Sequence, residues 1–272
     1  MVAKLIRHEL RATARMMGFL YLAAVVITGA EMIGFYAGQP VVGVIFMLIS
    51  YLHMMVLGVM TIVIVVRRFH SNLFGDQGYL TMCLPVKPSS LVFSKLLVAL
   101  IWMILDVVFS LFSIFFMVSS AAGIEGLSVW QTMNQTFQEM GYPTLDVWLR
   151  LSPILAFSEL IALLFFISLI YFSIAVANTG RFHRHNVLAG FLIFCGCYLA
   201  GFLADLAGTF LVPLGLRAGE DGIFIILQGA SLESLGSGVI QFGIFPFLFD
   251  IFLTAALLWG TCVVIRRHLS LK

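Results

Sequence analysis

VVGVIFMLISYLHMMVLGVMTIVIVV, residues 41–66, contains no Asp, Glu, Lys or Arg, and His53 is its one histidine. As a helix this stretch is about 39 Å long, enough to cross the ~30 Å hydrocarbon core of a bilayer. It stops at Arg67-Arg68, where the chain returns to water. Five more stretches meet the same test, at roughly 16–37, 89–119, 153–177, 187–213 and 244–265. Lipid offers the backbone no hydrogen-bond partners, so such spans are helices. The first is too long for the apolar region of a secretory signal and lacks an A-x-A site. The expected fold is an all-α membrane protein with six transmembrane helices.

Composition agrees. Hydrophobic residues make up 61% of the 272 and charged ones 10%, with a mean hydropathy of +1.09, against about a quarter charged in a soluble domain. No polar stretch is long enough to build a soluble domain, and nothing points to a nucleic acid partner. The reading is one transmembrane domain over 16–272, preceded by a helix over 1–15.

The basic residues orient the spans. Lys4, Arg7, Arg11 and Arg15 precede span 1; Arg67, Arg68, Lys87 and Lys95 lie between or beside spans 2 and 3. Arg181 and Arg184 link spans 4 and 5, and Arg266, Arg267 and Lys272 follow span 6, leaving only Arg150 and Arg217 on the opposite side. The positive-inside rule makes the first set cytoplasmic. The expectation is a multi-pass protein of the cytoplasmic membrane with both termini inside.

Three segments outside the spans carry pattern. In residues 2–15, Lys4, Arg7, His8, Arg11 and Arg15 recur at helical spacing opposite Val2, Leu5, Ile6 and Leu10, which reads as an interfacial helix in contact with membrane lipids. In the outer loop 120–152, Trp130, Met133, Phe137 and Met140 share a face against Gln131, Asn134, Gln135 and Gln138, predicting a second amphipathic helix. Residues 221–243 are apolar but broken by Gly222, Gly229, Glu233, Gly236 and Gly238. They are too interrupted to span and too apolar for an ordinary loop, and a re-entrant helical hairpin is expected there. Cys195 and Cys197, two apart on a helix, cannot chelate together, and with Cys262 they read as buried free thiols.

The cytoplasmic stretch 67–95 reads RRFHSNLFGDQGYLTMCLPVKPSSLVFSK. Gly75 and Gly78 flank a turn at Asp76-Gln77, Pro85 and Pro88 end a short piece from Tyr79 to Leu84, and Ser89 or Ser90 is placed to cap span 3. The run Asn72-Leu73-Phe74-Gly75-Asp76-Gln77-Gly78-Tyr79-Leu80, with Leu84-Pro85 and Ser94-Lys95, resembles the loop ahead of span 3 in permease subunits of type-2 ATP-binding-cassette (ABC) transporters, the mostly exporting bacterial branch. Gln77 stands where that pattern has a second acid. The resemblance implies a cytoplasmic coupling helix between spans 2 and 3, with Gly75, Asp76, Gly78, Tyr79, Leu84 and Pro85 forming the ATPase-docking segment. It also implies a separate ABC ATPase chain in two copies, and a second permease, identical or homologous. ATP and Mg would bind on the ATPase. No lysine here follows a glycine, so the chain has no P-loop and is read as a transport subunit, not an enzyme.

Five acids fall within spans: Glu31, Asp106, Glu159, Asp205 and Asp250. Such residues usually face a bundle interior or a cavity, and here all five lie at or beyond mid-depth from the cytoplasmic side. His53, Asp106 and Asp205 are the candidates for a substrate path, and the family resemblance, which implies that spans 2 and 5 line it, adds support for His53 and Asp205. The outer electronegativity suits a cationic amphipathic peptide or drug. Glu31, Glu159 and Asp250 read as acids near the outer headgroups or bonded to helix neighbours. Ala200, Ala204 and Gly208, four apart in span 5, predict a narrow face for close helix packing, with a second permease as one partner. No metal-binding spacing is present among the histidines. The competing functions are a self-sufficient channel or proton-coupled carrier using these acids, and a membrane assembly factor or sensor.

Overall fold

The structure, a computed structural model, describes residues 2–75, 88–125, 128–140, 142, 144–179, 186–212, 214–219, 222–227 and 240–267. Six helices are long and apolar enough to cross a membrane: α1 (Val2–Tyr36), α2 (Pro40–Leu73), α3 (Pro88–Glu125), α5 (Leu145–Ala177), α6 (Asn186–Leu211) and α7 (Ile244–Arg267). A short α4 (Val129–Glu139) and three strands, β1 (Gly215–Gly219), β2 (Gly222–Ile226) and β3 (Ile240–Gly243), complete the described elements. The chain is a multi-pass membrane protein. Its residues group into two compact units, 1–69 with 89–133, and 70–88 with 134–272.

In the first unit α1, α2 and α3 bury small polar side chains beside apolar ones such as Met17, Leu57, Leu91 and Leu96, and leave many large apolar ones facing outward. Thr13, Thr28, Ser50, Thr61 and Ser94 are buried, whereas Phe19, Leu22, Val26, Leu52 and Phe115 are exposed. Lipid is as apolar as leucine, so helices associate through close packing and interhelical hydrogen bonds. α1 and α2 meet in a tight turn at Gly38, whose φ of +69° suits glycine. Beside it a Cβ on Gly34 would stand 2.9 Å from the Gly43 nitrogen, so these backbones approach closely. α1 runs unbroken through residue 15, where a separate interfacial helix was expected to end. Ala12, Ala14, Arg15, Met16 and Met17 favour helix, and no proline or glycine interrupts before Gly18.

In the second unit α5 is central. Residues 167–171 are buried on every side of the helix, while α6 leaves Val187, Phe191, Leu199 and Phe202 exposed. α5 begins at Leu145, ahead of the expected 153, and carries Pro153 internally. The amphipathic helix of the outer loop is present as α4. It starts on a capping box: the Ser128 N–H donates to Gln131 Oε1 at 3.1 Å, and the Gln131 N–H donates to Ser128 Oγ at 3.3 Å. Asn134 Oδ1 accepts from the Leu145 N–H at 2.8 Å, and Phe137 stacks on Trp148 with centroids 5.8 Å apart. The end of α4 is thereby tied to the start of α5.

The strands correct the expected re-entrant hairpin. Where residues 221–243 are described, 222–226 and 240–243 are strands, not helix, and both pair antiparallel with β1 in the order β2-β1-β3; residues 228–239 lie outside the described residues. Ile223, Phe224, Ile225 and Phe242 favour a pleated surface. The ladder satisfies backbone groups that the hairpin would have left to covering protein. Gly222, at φ +129°, starts β2 in a conformation that favours glycine. Ala218 of β1, fully buried, packs with Val147 and Leu151 of α5, so the sheet sits on the first turns of that helix.

Candidate functional site

The segment singled out between spans 2 and 3 begins at the end of α2. Gly75 and Phe74 both donate their N–H to the His70 carbonyl, at 3.1 and 2.8 Å. A Cβ on Gly75 would lie 2.9 Å from the Ser71 carbonyl oxygen, which is why glycine stands there. Asp76, Gly78, Tyr79, Leu84 and Pro85 lie outside the described residues.

A charge cluster sits where the helices flanking that segment come together. Lys95 Nζ, near the start of α3, donates to Glu9 Oε1 of α1 at 2.7 Å, and Arg68 Nε, near the end of α2, is 3.8 Å from Glu9 Oε2. The Lys95 side chain is 7% exposed and that of Glu9 14%. Desolvation at this depth makes a lost partner costly. Glu9 was absent from the sequence reading, which followed the basic residues around it. Its signal was available: one acid among five basic residues, four residues before Thr13 and eight before Met17 on the same helical face.

The same face of α1 continues as a polar ladder. Trp102 Nε1 donates to Thr13 Oγ1 at 2.9 Å, and the Tyr21 hydroxyl donates to Asp106 Oδ1 at 2.7 Å. Thr61, buried on α2, directs its hydroxyl at Met17 Sδ of α1 at 3.9 Å, and Tyr21 stacks on Phe109 at 4.5 Å. His53 Nε2 is 3.1 Å from the Leu20 carbonyl oxygen. Asp106 and His53 are therefore both engaged in holding helices together. Glu31 is 1% exposed and accepts from Ser50 Oγ at 2.8 Å, which places it in the α1–α2 interface, bonded to a helix neighbour.

Asp205 differs. It lines a cavity of about 370 Å³ in the second unit, together with Asp250 and with Phe165, Phe166, Tyr198 and Phe202. Its Oδ1 is buried with no hydrogen-bond partner among the described residues, and the Asp250 carboxylate is near enough for the two charges to repel. Asp250 was read as an acid near the outer headgroups or bonded to helix neighbours; only the fold shows that α7 brings it to Asp205. Glu159, on the same unit, is exposed.

The small-residue face is rotated from its expected position. A Cβ on Gly208 would overlap the Phe245 ring of α7, so Gly208 packs within its own chain, and Ala204 is half-buried. Ala200 is exposed. Gly201, seven residues before Gly208, takes the inward place beside Phe165 and Leu253. Two helical turns are close to seven residues, whereas eight drift about 80° around the helix. Cys195, Cys197 and Cys262 are free, and Cys195 is exposed, not buried. Among the described residues no three His, Cys, Asp or Glu side chains gather as a metal site.

Comparison with protein families, curated proteins and solved structures finds no match for this chain.

Proposed function

We propose that this chain is the permease subunit of an ATP-driven exporter of the type-2 ABC kind, working in the cytoplasmic membrane with both termini inside. The observation that carries the reading is the Glu9–Arg68–Lys95 cluster. It joins α1 to the end of α2 and the start of α3, the two helices between which the Gly75-Asp76 and Leu84-Pro85 motif lies in the sequence. A docking loop must rest on a rigid base if ATPase movement is to reach the spans, and a desolvated ion pair across three helices supplies one. Tyr79, Leu84 and Asp76 are the docking contacts, ATP and Mg belong to the partner, and a second permease completes the pathway.

The test is recovery of a P-loop ATPase with the tagged permease from native membranes. Tyr79→Ala and Leu84→Asp should lose the ATPase while the permease stays inserted, because small apolar patches dominate such docking. Recovery at wild-type yield by both variants would overturn the assignment. A self-sufficient proton-coupled carrier is the second reading, favoured by the acid-lined cavity around Asp205 and Asp250. It predicts transport by the purified chain alone.

A further inference from the structure

The cavity at Asp205 is chemically two-sided. One side is aromatic: Phe165 and Phe166 come from α5, Tyr198 and Phe202 from α6. Phe166 is edge-on to Phe194 at 5.9 Å, and Phe194 stacks parallel to Tyr198 at 6.2 Å, so the rings are held in place by their neighbours. The other side presents two carboxylates from different helices. Asp205 lies six residues before the end of α6 and Asp250 six residues after the start of α7, each about 9 Å along its helix from the end nearer the sheet. Among the described residues no Lys or Arg lines the cavity, and Asp205 Oδ1 has no hydrogen donor.

A neutral apolar ligand would leave that oxygen bare, and a hydrated metal ion would find no use for four aromatic walls. A compact anion would meet two like charges. A cation with an apolar body satisfies both sides: its charge between the carboxylates, its body along ring faces that attract cations by their quadrupole.

We propose that this cavity binds a monovalent organic cation, with Asp205 and Asp250 as counter-ions and Phe165, Phe166, Tyr198 and Phe202 as the apolar wall. It names the substrate class of the proposed transporter and rests on that reading for its physiological use. Binding itself requires only this chain.

The experiment is equilibrium binding of radiolabelled tetraphenylphosphonium to the purified full-length chain in nanodiscs, with neutral triphenylphosphine oxide as comparator. Asp205→Asn and Asp250→Asn should each weaken tetraphenylphosphonium binding about tenfold or more, and the double variant should abolish it, with the weak binding of the neutral probe unchanged. Glu159→Gln removes an exposed acid from the same unit and should change nothing, which separates a site from general electronegativity. Tyr198→Ala should weaken the cation severalfold and rescue with Phe. Wild-type binding by the double aspartate variant, equal affinity for the neutral probe, or an equal effect of Glu159→Gln would each overturn the proposal. Cation binding that depends on the aspartates without any ATPase recovered would keep the site and remove the exporter reading. ATPase recovery without cation binding would do the reverse.

Discussion

Lys95 Nζ and Glu9 Oε1 stand 2.7 Å apart although 86 residues separate them in the chain, and the lysine side chain is almost wholly desolvated. Glu9→Gln removes the counter-charge and leaves Lys95 buried beside Arg68. We expect a loss of about 3 kcal/mol or more, read as a lower midpoint in an SDS unfolding titration. Lys95→Met should cost less, since Glu9 keeps Arg68. The double variant should recover much of the Glu9→Gln loss, because Lys95→Met removes the buried ammonium that Glu9→Gln leaves without a counter-charge. Simple additivity of the two single losses would show that the pair does not couple.

The Tyr21–Asp106 bond makes a separate prediction about a residue that the sequence assigned to a substrate path. Tyr21→Phe should destabilise the chain by about 1 kcal/mol, and Asp106→Asn should fold near wild type because its amide oxygen still accepts from Tyr21. Transport by Asp106→Asn should also persist. Loss of transport with unchanged unfolding would return Asp106 to the path.

The spans were legible because twenty apolar residues in a row have few other uses. The interior of the first unit was not. In lipid the inward face of α1 is marked by Thr13, Thr28 and Glu31 as well as Met17, whereas Phe19, Leu22 and Val26 face outward, so a search for apolar stripes looks at the wrong side of α1. Asp205 could be suspected from sequence as an isolated intramembrane acid, but its partner Asp250 lies beyond the sheet, and only topology joins them. The strands were missed because a glycine-broken apolar run fits a hairpin in a membrane as well as a sheet. Gly215–Gly219, the strand that pairs both others, had been read only as a loop carrying Arg217.

Glycines 201 and 208 should respond oppositely to alanine. Gly201→Ala places its Cβ at 3.4 Å from Leu253, an ordinary contact, and removes backbone freedom from a helix. Stability should hold or rise by up to ~1 kcal/mol. Gly208→Ala must displace the Phe245 ring, which stacks on Phe249 at 5.6 Å, at a cost of about 1–3 kcal/mol. Thermal unfolding in detergent checks both; equal shifts would mean that Phe245 yields freely.

Orientation is testable with single cysteines. Positions Gln135 and Ile225 are exposed and should react with an impermeant maleimide on intact cells, whereas Asn72 should react only after lysis. Labelling of position 72 from outside would reverse the topology, and with it the docking role of the adjoining segment.

α1, α2 and α3 are each unbroken over 34 to 38 residues, or at least about 50 Å, far more than the hydrocarbon they cross. α1 and α2 are clamped at the charged end by Glu9 and Arg68, and at the other by the Gly34–Gly43 backbone contact, about 38 Å along α1. A pair of rods fastened at both ends cannot slide or splay; it can only tilt as one piece. On the function proposed above, a push at the Glu9–Arg68 end would move the Gly38 turn in the opposite direction, with the bilayer as fulcrum.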